Sequence, residues 1–212
     1  NSIKIIGHAT DLYCQAYFVY DSKKSGGLTQ SHLRFGKNPI RSPYLISSAD
    51  FVACHNPSYV RQYDMVKNLK DGGVFLLNCQ WDMQGLEENL PASMKRALAA
   101  KHAKFYIINA IDIARNLGLG NRTNTILQAS FFKLSGVIPI DQAVTEMKEA
   151  IYKSYFKKKG QAVVDMNNAS IDHGLNELVE IQIPESWATA EDAPKEDNAP
   201  AFIKEVVSVM NR

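Results

Sequence analysis

At 212 residues, with 45% apolar and 22% charged side chains, the chain has an ordinary globular make-up, enough for one large α/β domain or two small ones. A net charge of +2 is too small to point to nucleic acid or an anionic membrane, and no apolar run approaches the ~20 residues a membrane-spanning helix needs. Three widely spaced cysteines, Cys14, Cys54 and Cys79, suit reduced core thiols in a cytoplasmic protein and lack the tight four-cysteine runs that hold an iron–sulfur cluster. The chain opens on Asn1-Ser-Ile-Lys, without an initiating Met or a signal-peptide pattern, and is expected to be an internal piece of a longer polypeptide.

Residues 2–6 have the local propensity of a short strand. Residues 12–20 are rich in aromatic and β-branched side chains and read as a strand, and residues 29–35 as its neighbour, with Gly36-Lys-Asn-Pro39 as a turn. Residues 49–54 make a short buried strand that Asn56-Pro57 ends. Residues 58–69 carry apolar side chains at helical spacing (Val60, Tyr63, Val66, Leu69) and predict a helix. Residues 70–73 read as a turn, and the continuous apolar run 74–79 as a central parallel strand.

The alternation continues. Helices are expected over 91–101 and 111–117, the latter stopped by Gly118, with a strand over 104–109 between them. A mostly apolar helix follows over 125–134. Asp141 is read as the N-cap of an amphipathic helix over 142–156, closed by Lys157-Lys-Lys-Gly160, where positive charge suits the helix's negative end. Residues 161–181 predict one more helix, broken or started near Asn167-Asn168. From 184 to 200 the composition shifts to Pro, Ala, Asp and Glu, as in an exposed linker. Strands alternating with helices imply a three-layer α/β/α domain on a mostly parallel sheet.

Motifs that could carry chemistry are few. Lys23, Lys24 and Arg34 place positive charge around Gly26-Gly27, whose glycines free the backbone to turn and to approach a phosphate closely; a hairpin with a solvated basic turn has the same composition. Gly118-Leu-Gly120 is half of a dinucleotide fingerprint and follows a helix, so a helix stop is favoured. Asn124, after Gly-Asn-Arg-Thr, sits where a helix start favours an anion or polar ligand, and is equally an ordinary capping residue. Asn167-Asn168 is either a helix start or a pair of amides aimed at a ligand. Asp50, Asp112 and Asp165 read as caps, the five histidines are dispersed with His32 the one of most interest, and no nucleophile elbow is present.

Asn1 to Gly7, Ala16 to Gly36, Ala53-Cys-His-Asn-Pro-Ser58, Gly73 to Asn78, Phe131-Phe-Lys133 and Val137-Ile-Pro139 together resemble the gamma-type domain of the pyruvate:ferredoxin (flavodoxin) oxidoreductases. The resemblance runs to Trp187 and implies a coenzyme A-binding domain over 1–187, then a linker over 188–212 towards a downstream iron–sulfur domain. It recasts residues 2–6 as the tail of a helix that Gly7 stops. It implies a parent enzyme, a homodimer, that decarboxylates pyruvate on thiamine diphosphate and Mg2+, sends electrons through [4Fe–4S] clusters to ferredoxin or flavodoxin, and passes the acyl group to coenzyme A. Those other groups lie in other domains of the polypeptide. Lys24 matches the family's phosphate-contacting lysine, and Asn124 and Asn167 fall at or beside coenzyme A contacts, within about one residue of register. Lys23, Gly26 and Arg34 are added from charge and geometry. Ser25 stands where many relatives carry arginine. The alternative is a scaffold that joins the thiamine and iron–sulfur modules.

Overall fold

The computed structural model describes residues 2–20 and 28–192. Helix α1 spans Ser2–Ala9, so the chain passes through Gly7 without stopping. A hairpin follows, β1 (Tyr13–Tyr20) paired antiparallel with β2 (Thr29–Gly36) as a separate two-stranded sheet. Next come β3 (Ala49–Cys54), a 3-10 turn (Pro57–Arg61), β4 (Leu69–Asn78), α2 (Met83–Asn89), α3 (Ala92–Ala100), β5 (Lys104–Ile108), α4 (Ala110–Asn116), α5 (Asn124–Ser135), α6 (Ile140–Lys159), α7 (Gln161–Asn176), β6 (Val179–Ile181) and a second 3-10 turn (Glu185–Thr189). The main sheet has the order β3-β4-β5-β6, with the first three strands parallel and β6 antiparallel at the edge. The expected α/β architecture on a mostly parallel sheet is what the chain adopts.

Alternation along the strands sorts side chains onto two faces. Phe75, Leu77, Phe105 and Ile107 pack with Leu86, Met94, Leu98 and Trp187 beneath α2 and α3. Leu76 and Ile108 face the other way, onto Ala110, Ile113, Ile126 and Leu127 of α4 and α5. A third core lies beyond α5, where Ile5 and Ile6 of α1 meet Ala129, Phe132, Met147, Ile151, Val164 and Ile171. Helix α5 is therefore buried on two sides. It crosses α7 at Gly174, where a Cβ would come 2.4 Å from the Ile126 carbonyl oxygen, so only glycine allows this approach.

Several local readings change. Residues 58–68 are a short 3-10 turn and a loop, and Leu69 already opens β4, because Arg61 donates to the Asn89 and Glu88 carbonyls at 3.1 Å and ties the chain down before a helix develops. Val60, Val66 and Leu69 still reach the core, which is why their spacing looked helical. Residues 70–73 belong to β4. Helix α2 was not foreseen; Asp82 starts it by accepting from Gly85 N at 2.8 Å. Pro139, not Asp141, caps α6, and Asp141 lies in its first turn. Asp50 pairs with Lys70 in a strand, Asp112 lies inside α4 and Asp165 inside α7, so none is a cap. Helix α7 runs through Asn167-Asn168 unbroken and ends before β6.

The stretch after Pro184 is not all linker. Trp187 is 1% exposed, and its indole N–H donates to Glu87. Asp192 accepts from Ala92 N at 2.8 Å, so packing continues five residues past the expected domain limit at 187. Lys95, buried beside this tryptophan, places its ammonium 2.7 Å from both the Glu87 carboxylate and the Glu87 carbonyl. Those bonds compensate its desolvation.

Candidate functional site

The glycine after α4 is a stop signal. Gly118 has φ +72°, its N–H donates to Arg115 O, and Leu119 N donates to Ala114 O at 2.8 Å, the paired bonds of a Schellman end. The chain then turns through Gly120 and Arg122 into α5. Thr123 makes no side-chain capping bond there, and Asn124 stands exposed as the first helical residue. The amino end of α5 thus leaves both its N–H groups and an amide side chain without a capping partner from the Thr123 side chain.

Asn167 and Asn168 divide their roles. Asn167 is 6% exposed and donates to the Val163 carbonyl at 2.7 Å, so its amide nitrogen is used inside α7. Asn168 borders a groove of about 400 Å³ between α6 and α7, lined also by Lys148, Glu149, Tyr152, Lys153, Gln161 and Val164, with Glu149 paired to Lys153 at 3.0 Å. Its Oδ1 is buried and has no partner. Of the two, the residue beside the expected one is the one that borders the groove. Nothing in the sequence alone distinguishes the two; the distinction is one step around a helix.

Arg34 lies on β2, half-buried. One guanidinium nitrogen donates to Tyr44 O at 2.6 Å, and the group stacks over the Tyr44 ring at 3.5 Å. Its other terminal nitrogen is buried without a partner. On the same hairpin face His32 Nδ1 accepts from Ile46 N at 3.1 Å, which leaves the proton on Nε2. Burial, and secondarily the charge of Arg34, lower the His32 pKa and keep the ring neutral. No hydrogen bond joins Arg34 to Asn124 or Asn167, whereas those two asparagines sit on helices that pack together. Lys23, Lys24 and Gly26 lie outside the described residues.

The carboxyl ends of the parallel strands form a polar edge that the sequence reading missed. Asn78, 2% exposed, donates to His55 O and accepts from Ala110 N, both at 3.0 Å, clamping three chain segments. Asp112 accepts from Gln80 and Asn109 at 2.8 Å beside Arg115. The signal was available, because polar residues directly after apolar strands mark the usual ligand edge of such sheets. Acid–base machinery is not assembled here. Burial pushes the Cys54 thiol up to about 11 and raises that of Cys79, so both stay protonated, with Cys54 donating to Asn56 O at 3.1 Å. Among the described residues no group of three or more His, Cys, Asp or Glu side chains could hold a metal, and three dispersed thiols, two buried and Cys14 half-buried, do not fit an iron–sulfur cluster. No described helix is long and apolar enough to cross a membrane.

What the geometry offers is amides, backbone N–H groups and a few cations. Comparison with known proteins fixes its kinship. The model of the family described as pyruvate ferredoxin/flavodoxin oxidoreductase matches residues 2–177. The chain belongs to that family. It is 54% identical over 215 residues to the pyruvate-flavodoxin oxidoreductase of Enterobacter agglomerans, which covers 100% of this chain and 18% of that protein. The pyruvate:ferredoxin oxidoreductase of Moorella thermoacetica is 53% identical over 213 residues, again 100% of this chain and 18% of the relative. The chain thus spans under a fifth of the length of these relatives. The fold also matches the solved structure of the pyruvate oxidoreductase subunit PORC of Thermotoga maritima, with a TM-score of 0.64, 17% identity, and coverage of 85% of this chain and 90% of that one.

Proposed function

We propose that this chain is the coenzyme A-holding domain of a pyruvate:ferredoxin/flavodoxin oxidoreductase. In this reading the parent enzyme oxidatively decarboxylates pyruvate to acetyl-CoA and CO2 and passes electrons to ferredoxin or flavodoxin. The observation that carries it is 54% identity, along the whole chain, to a protein of that name. In this reading thiamine diphosphate with Mg2+ would supply the carbanion chemistry and [4Fe–4S] clusters the electron path, both from other domains; the dispersed thiols of this chain fit no cluster. The reduced thiols accord with a cytoplasmic enzyme, and a homodimer is the assembly we propose.

Coenzyme A presents a pyrophosphate, a further phosphate and an amide-rich arm, and so calls for cations, N–H donors and amide partners. Lys24 would meet phosphate as a charge. Asn124, at the open amino end of α5, and Asn168, with its unpartnered oxygen, would hold the amide arm. Asn167 would position the helix that carries Asn168. In the full-length enzyme Lys24→Ala is expected to raise the half-saturating coenzyme A concentration about ten- to a hundredfold, the cost of one charge-assisted contact. Reduction by pyruvate in the absence of coenzyme A should persist. Coenzyme A dependence unchanged in Lys24→Ala, Asn124→Ala and Asn168→Ala alike would leave the domain a scaffold. That second reading draws on Arg34, one of whose guanidinium nitrogens holds the Tyr44 carbonyl, and on Asn167, whose amide nitrogen bonds within α7.

A further inference from the structure

We propose that the hairpin β1–β2, together with Tyr44 and Leu45, is a docking arm covered by another domain of the same polypeptide. The inference rests on reading the chain as one part of a multidomain oxidoreductase. It begins with an uneven surface. Among the described residues twelve large hydrophobic side chains are exposed, and six of them fall between residues 13 and 45: Tyr13, Tyr17, Phe18, Tyr20, Tyr44 and Leu45. The other six are spread from Tyr63 to Val179, with Tyr152 and Phe156 of α6 the one stacked pair among them. A concentration of this kind marks an interaction surface, whereas single exposed apolar residues do not.

The hairpin is also short of internal support. Its base is anchored where Cys14 and Phe35 join the core of α1, α5, α6 and α7. Farther out, on the same face by strand alternation, Phe18 and Tyr20 stack on each other, their centroids 6.4 Å apart, and Tyr20 is 70% exposed. The opposite face carries Tyr13 and Tyr17. The pairing is a two-stranded sheet, with no third strand among the described residues. Two strands alone are marginal in water, and aromatic residues on both faces need cover. Tyr44 extends the patch in a preset position, because Arg34 holds both its carbonyl and its ring while the residue stays 61% exposed. A preordered aromatic loses little freedom on being covered.

The occupant follows from length. Relatives align along all of this chain and are more than five times longer, which leaves over four-fifths of such a polypeptide to meet the arm. Covalent linkage makes the contact intramolecular, at millimolar effective concentration, so a modest patch suffices where separate molecules would need a larger one.

The test is site-specific photocross-linking in the full-length enzyme, with p-benzoylphenylalanine replacing Tyr17 or Tyr20 in turn, and Tyr63, outside both the arm and the α6–α7 groove, as the exposed reference. The expected result is a product of unchanged polypeptide mass that joins the 13–20 peptide to a peptide outside these 212 residues. A product of doubled mass, or a yield at 17 and 20 no higher than at 63, would overturn the proposal. Nitration of the unsubstituted enzyme checks it without any variant: Tyr17, Tyr20 and Tyr44 should react more slowly than Tyr63 if an interface covers them, and equal rates would also overturn it. The mass of the unmodified polypeptide separates the two readings. A polypeptide no larger than this chain refutes the multidomain assignment, whereas a larger one with freely reactive tyrosines refutes the docking arm alone.

Discussion

The sheet and the hairpin spend similar residues in opposite ways. On β4 and β5, Phe75 and Phe105 are wholly buried at 5.6 Å between ring centroids, under helices that the same chain supplies. On β1, Phe18 and Tyr20 stack just as locally, and this chain leaves them exposed. Aromatic content therefore does not say where a core is. What differs is cover: the central strands have helices or turns on both faces, whereas the hairpin rests on α1 through its base. The first region carries the stability of the domain, and the second carries surface.

This contrast is open to measurement. Trp187→Ala, on the covered side, should lose about 4 kcal/mol in urea unfolding, the cost of emptying a large buried site; a loss under about 1 kcal/mol would mean that the 185–189 turn is peripheral after all. Asn78→Ala should cost about 2 kcal/mol, since it strands the His55 carbonyl and the Ala110 amide together. Acid titration gives a smaller effect. Bonds from Lys95 and Trp187 hold the Glu87 pKa below its usual 4.5, so their contribution is complete above that value and is lost as pH falls through the lower folded pKa. Glu87→Gln should accordingly flatten the loss of thermal stability on acidification, and an unchanged acid limb would remove Glu87 from the account. Least affected of all should be Tyr17→Ser, within about 0.5 kcal/mol of the parent in this chain's own unfolding. A larger loss would mean that the hairpin supports the fold it projects from.

How far the sequence could be read follows the same division. The apolar runs of β4 and β5, the stop at Gly118 and the helices α3 and α5 were legible because local propensity and burial agree there. The loop over 58–68 was misread because a segment draped over a core can bury residues at multiples of three, here Val60, Val66 and Leu69, while Tyr63 of the same apolar spacing stays exposed; Arg61, reaching across to α2, decides between loop and helix only in three dimensions. Trp187 was hidden by the Pro, Ala, Asp and Glu around it. Asn168 could not be told from Asn167, since that choice depends on which side of α7 faces the core. The polar edge around Asn78 needed the parallel strands to be in register before its residues came together.

Gly174 has a mechanical consequence. With no side chain between them, α5 and α7 meet backbone to backbone, and the Ser130 hydroxyl, also 3.1 Å from the Ile126 carbonyl of its own helix, reaches across the seam to the Gly174 carbonyl at 2.9 Å. Helices locked this way cannot slide or roll separately, so whatever presses on the amino end of α5 moves the pair as one body. Adjustment to a bound molecule must then come from the segments hinged around that block.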